Sequence, residues 1–151
     1  MGKNDGFEGD LLLNLVPDGV DIVVDNGLMA SDKLYSTAII LSLFGGNYYD
    51  DGKIKNKNTW WGNVLKNTPE NEKLISRFYN FIRAMPISVK NISLAEKAAY
   101  IDLKWMIAAG ISDEINIAIS VYEKNKILVN IFLYKEKNIF FNSSYNFIWG
   151  L

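Results

Sequence analysis

Apolar and polar positions change their period along this chain, and the changes mark its elements. Asp10–Val16 is an apolar run, Pro17-Asp18-Gly19 is a turn signal, and Val20–Val24 is a second β-rich run. Together they predict an N-terminal β-hairpin. From Asp32 to Phe44 the spacing turns helical, with Ser31 placed to cap and Asp32 suited to the positive end of the dipole. Leu34, Ala38 and Leu41, with Ile40 and Phe44, fall on one stripe. Ile39 and Leu43 widen it, so burial over much of the helix circumference is expected. Gly45-Gly46 ends it.

A second helix is predicted with Thr68 as cap, Pro69 at its first position and Glu70 and Glu72 in its first turn. Its apolar face would be Leu74, Phe78, Phe81, Ile82 and Met85, and Pro86 stops it. Ser93 and Glu96 have the spacing of a capping box. That places a third helix over Leu94–Ala109, with Leu94, Ala98, Ile101 and Trp105 as its stripe and Gly110 as terminator.

From Glu114 the period becomes two. Ile115, Ile117, Ile119 and Val121 alternate with polar or small residues, Lys124-Asn125-Lys126 turns the chain, and Ile127, Val129, Ile131 and Leu133 alternate again. Lys135–Asn138 is a further turn, and Ile139–Trp149 a third strand with a bulge expected at Ser143-Ser144. The predicted class is α+β: an N-terminal β-hairpin, three helices and a C-terminal three-stranded antiparallel meander.

At 151 residues the chain is expected to form one domain, 1–151, with the polar, glycine-rich residues 1–9 frayed. A chain of this size buries roughly 70% of its unfolded surface. The net charge of −1 argues against duplex DNA or an anionic membrane as a partner. The chain has neither cysteine nor histidine. That removes disulfides, thiol nucleophiles, imidazole bases and the usual zinc ligands, so no cofactor or metal is expected. No phosphate loop or dinucleotide fingerprint is present. The first residues lack a signal-peptide core and no apolar run approaches ~20 residues, so a cytoplasmic location in the producing cell is expected.

Between the first two helices lies Gly45–Thr59, which follows no period, and then Trp60-Trp61-Gly62. Structureless loops longer than ~12–15 residues are often functional. The helix running into this loop has the character of an element that holds a surface loop out for a partner. Adjacent residues of an extended chain point opposite ways, so one tryptophan can enter the core while the other faces a partner. Both can equally pin the loop to the domain.

These residues resemble the Mu-like phage baseplate protein family, relatives of the sheath-proximal wedge protein of contractile tails. The resemblance is carried by Asp32, Leu34, Thr37-Ala38-Ile39, Ser42-Leu43-Phe44, the polar loop and Trp60-Trp61-Gly62. It continues more weakly through Phe81-Ile82-Arg83-Ala84, the helix ending at Gly110 and the alternating strands. Asn63 stands where the family tends to have aspartate, and Tyr48-Tyr49 occupy a region where it has arginines. The resemblance implies a structural baseplate wedge subunit, not an enzyme, in a phage, prophage or tail-like injection particle. Its implied partners are other wedge proteins, hub or spike proteins and sheath subunits, in several copies of a symmetric assembly.

The candidate partner surface is Tyr48, Tyr49, Trp60, Trp61, Tyr145, Phe147 and Trp149. The last three share one face of the final strand. That face is either covered by helices or belongs to an edge strand that pairs with another subunit. A second function class is a carboxylate-dependent cell-wall glycoside hydrolase, with Asp50-Asp51 supplying one carboxylate and Glu8, Asp10, Glu70 or Glu72 the other. A third is a carbohydrate-binding module that stacks sugars on Trp60 and Trp61. Lys53, Lys55 and Lys57 beside two aspartates make only a weak field for nucleic acid.

Overall fold

The computed structural model describes the backbone at 10, 11, 13–16, 19–22, 24, 25, 28, 29, 31 and 32, and then residues 35–46, 69 and 74–150. It divides into two compact units, Met1–Ile40 and Leu41–Leu151, whose boundary falls inside a helix.

In the first unit, β1 (Asp10–Leu11) pairs antiparallel with β6 (Ser31–Asp32), β2 (Leu13–Val16) with β3 (Gly19–Ile22), and β4 (Val24–Asp25) with β5 (Leu28–Met29). The turn expected at Pro17-Asp18-Gly19 lies largely outside the described residues. Helix α1 runs Ser36–Phe44, so it starts four residues later than its apolar period suggests. The expected cap, Ser31, sits with Asp32 in strand β6, opposite Asp10 and Leu11. Burial covers much of α1 as expected, but it centres on Ile39, Ile40 and Leu43, while Ala38 and Leu41 are half-buried.

The second unit carries α2 (Arg77–Ala84), α3 (Val89–Leu103), the single turn α4 (Trp105–Ala108), and strands β7 (Glu114–Glu123), β8 (Lys126–Lys135) and β9 (Asn138–Ile148). The three strands form an antiparallel sheet in the order β7-β8-β9. Its class is therefore α+β, with helices on a three-stranded meander. The period-two reading holds along β8 and at Ile115 and Ile119, while Ile117 is half-buried and Val121, near the end of β7, is exposed. Ile115 pairs with Leu133 and Leu133 with Phe141, while Ile119 pairs with Val129 and Val129 with Tyr145, and all of these are buried. Asn116, Ser120, Asn142 and Ser144 on the other face are exposed, as expected for a sheet with one solvated side.

The expected bulge is displaced. Ser143 and Ser144 pair regularly with Ile131 and Asn130, and the register shifts instead where Leu133 faces Phe141 and Tyr134 faces Ile139. Phe140 is the extra residue. The second turn puts Glu136 and Lys137 at φ 50° and 67°. That is the geometry of a tight primed turn, normally filled by asparagine and glycine.

The starts of the next two helices also differ from expectation. Pro69 and Leu74–Ser76 are not helical, so α2 begins at Arg77 and is only eight residues long. α3 begins at Val89 with Ser88 as cap, whose hydroxyl accepts from Asn91 N. Ser93 lies inside the helix, and Glu96 does not close a capping box. Glu96 Oε1 accepts instead from Ile119 N at 2.9 Å, fastening α3 to β7. The terminator is as expected: Gly110 has φ 71°.

Candidate interaction surface

An eight-residue helix is marginal by itself, and α2 is held at both ends by residues distant in sequence. At its N-terminus the adjacent Ser76 makes no side-chain cap. Asp102 of α3 does so in its place: Oδ2 accepts from Phe78 N at 2.8 Å and Oδ1 from Arg77 Nη1 at 3.4 Å. The carboxylate is fully buried. Burial pushes its pKa up to about 6, against the bonds from Phe78 and Arg77 that pull it down. At the other end, Gly150 N donates to Ile82 O and the Trp149 indole N–H to Met85 O.

Ser76 is used elsewhere. Its hydroxyl donates to Ser42 O and accepts from Gly46 N, both at 2.8 Å, and Ser76 N donates to Gly46 O at 2.9 Å. A Cβ on Gly46 would lie 2.2 Å from Leu74 O, so glycine is what lets the two backbones meet. The chain thus leaves at Gly46 and returns at Leu74 through one clasp. The segment between them carries Tyr48, Tyr49, Trp60 and Trp61, which lie outside the described residues. Glu8, Asp50, Asp51, Lys53, Lys55, Lys57, Glu70 and Glu72 lie outside them as well, and Asp10 is described in backbone only.

The remaining three candidates are brought together under the helices. Trp149 is buried, Tyr145 is buried and stacks with Phe147, and the Phe147 ring lies tilted 4.5 Å from Phe44 and edge-on 6.1 Å from Phe78. Their shared face is therefore the covered face of the sheet.

The third helix is turned by about one residue relative to its predicted stripe. Its buried face is Asn91, Ala95, Ala99, Asp102 and Leu103. The expected core residues Ile101 and Trp105 are 49% and 43% exposed, and Met85 of the α2 stripe is 39% exposed. Trp105 is oriented by its indole N–H, which donates to Ser42 Oγ at 2.9 Å. Beside this stripe an apolar groove of about 560 Å³ runs between α2 and α3, lined by Arg77, Asn80, Phe81, Ala84, Met85 and Ala98. This surface escapes a sequence reading because large apolar residues at helical spacing look like core.

Among the described residues no cluster of acidic side chains has the makings of a metal site, and no helix is long and apolar enough to cross a membrane. Comparison of the chain with protein-family models, with curated proteins and with solved structures returns no match.

Proposed function

We propose that this chain is a structural baseplate wedge subunit of a contractile phage tail or tail-like particle, linking the baseplate core to the sheath. The reading starts from the residues that resemble the Mu-like baseplate family, from Thr37-Ala38-Ile39 to Trp60-Trp61-Gly62. The observation that carries it is the clasp. Gly46 and Ser76 fasten the two feet of the aromatic-rich segment to the C-terminal end of α1, whose Ser42 carbonyl completes the bond network. Such a clasp holds the two ends of the segment together, and tyrosine and tryptophan, which that segment carries, are common anchors at interfaces. The half-exposed apolar stripe on α3 offers a second surface of the same kind.

In this reading Asp10–Val16 and Val20–Val24 form an N-terminal hairpin, and Tyr48, Tyr49, Trp60 and Trp61 meet neighbouring subunits. The work is mechanical: the subunit holds a fixed geometry and passes a change at the baseplate to the sheath. Its partners are other wedge proteins, hub or spike proteins and sheath, in several symmetric copies, and no cofactor takes part. Co-expression with neighbouring tail proteins followed by affinity capture tests the proposal. Wild type is expected to bring down at least one of them, and Trp60→Ala with Trp61→Ala to bring down markedly less. Recovery of the lone chain from every combination would sink it.

A further inference from the structure

The apolar stripe of α3 has a charged border. Lys90, Lys97 and Lys104 recur every seven residues and are all exposed. At 100° per residue this row lies one step round the helix from Leu94, Ala98, Ile101 and Trp105. On the stripe's other side stands α2, with Arg77 on the groove wall and Arg83 exposed nearby in sequence.

The two acids in this stretch are engaged elsewhere. Asp102 is buried against Phe78 and Arg77, and Glu96 accepts from Ile119 N. From Arg77 to Lys104 five basic residues stand against two acids, so this stretch is net cationic although the whole chain carries a net −1. The surface combines a concave apolar floor, helical spacing from Leu94 to Ile101 followed by Trp105 at the start of α4, and a cationic margin.

We infer that the groove between α2 and α3 receives an amphipathic helix with acidic flanks from another protein. The apolar side chains of that helix would fill the floor formed by Phe81, Met85 and Ala98 and extend onto the exposed Ile101 one turn along α3. Its carboxylates would face Lys97 and Lys104 on one side and, on the other, the half-exposed guanidinium of Arg77, which also pairs with Asp102. Helix-in-groove recognition uses apolar anchors at such spacing, and complementary charge sets orientation and partner choice. A flat anionic membrane would meet the lysines but not fill the groove. The inference rests on the chain being an assembly protein and names the chemistry of one partner segment.

The test uses the full chain and two labelled helical peptides of about 18 residues, long enough to span the stripe. Both carry leucines at helical spacing, one flanked by glutamates and the other by lysines. By fluorescence anisotropy the acidic peptide is expected to bind with a Kd below about 100 µM, and the basic one at least about tenfold more weakly. Lys97→Glu combined with Lys104→Glu reverses that order, and Ile101→Asp removes both bindings. Each side chain is exposed, and circular dichroism of the variants verifies that they fold.

Several results overturn the inference: no binding of the acidic peptide at about 1 mM, equal binding of the two peptides, or binding untouched by Ile101→Asp. Attachment to phosphatidylserine vesicles without peptide binding would assign the face to a membrane. Self-association lost in Ile101→Asp would assign it to a second copy. Tail proteins captured equally by wild type and Ile101→Asp overturn the inference and leave the assembly reading standing. Peptide binding without any tail-protein capture does the reverse.

Discussion

The carboxylate of Asp102, near the end of α3, accepts the backbone N–H of Phe78 in the first turn of α2 at 2.8 Å. A helix start is thereby capped from another helix, 24 residues away. The carboxyl is carried from 3.8 to about 6 by burial, so the fold favours its neutral form. Stability from this preference is fully present below about pH 3.8 and is lost as pH rises through about 6. The gap is worth on the order of 3 kcal/mol.

Asp102→Asn keeps an acceptor for Phe78 N and cannot ionise. Urea unfolding of wild type and Asp102→Asn between about pH 4 and pH 7 should show wild type losing stability relative to the variant as pH rises. Asp102→Ala leaves the Phe78 N–H unpaired and should fall below Asp102→Asn by about 1–3 kcal/mol across that range. Parallel pH profiles for wild type and Asp102→Asn would show that the carboxyl titrates normally.

The clasp can be opened in two ways. Gly46→Ala drives a Cβ into Leu74 O, which is backbone and cannot swing aside, and should cost about 1–3 kcal/mol. Ser76→Ala removes the hydroxyl that serves both Gly46 N and Ser42 O and should cost a similar amount. Thermal unfolding measures both. Wild-type stability in Gly46→Ala would mean that the backbones at 46 and 74 do not touch.

The turn between β8 and β9 holds two non-glycine residues at positive φ. Replacing Glu136-Lys137 with Asn-Gly should raise stability by about 1 kcal/mol, because asparagine tolerates the left-handed backbone and glycine adopts it without a Cβ penalty. The Glu136 N–H that donates to Asp113 is backbone and survives the change. A fall in the denaturation midpoint would count against this turn geometry.

Trp149 is 2% exposed and its indole N–H reaches Met85 O at the end of α2. Trp149→Phe keeps an aromatic ring but loses the donor and part of the packed volume, and should lower stability by about 1–3 kcal/mol while leaving partner capture intact once the protein is folded. Capture lost at unchanged stability would return Trp149 to the partner surface.

The strands were legible because alternation reports burial directly, and Ile115, Ile119, Val129 and Leu133 all face inward as their spacing predicts. The helices were less so. α3 packs through Ala95 and Ala99, whose small side chains let neighbouring elements approach, while Ile101 and Trp105 carry the apolar weight on the open side. Local signals also lost to distant ones. Thr68-Pro69 reads as a helix start, yet α2 starts where Asp102 reaches it. Glu96 has capping-box spacing, yet its carboxylate serves Ile119. No short window of sequence holds these tertiary bonds. The clasp at Gly46 and Ser76 is of the same kind: the glycine pair is visible, but its partner is 30 residues on.

The proposed role is that of a subunit built into a particle and held there through the aromatic segment whose ends Gly46 and Ser76 join. Mass spectrometry of purified tail particles from cells expressing wild type or Trp60→Ala with Trp61→Ala measures this most directly. The account predicts the chain in wild-type particles in fixed ratio to the other baseplate proteins, and its loss from particles in the variant. Intact, contractile particles that never contain the wild-type chain would contradict it.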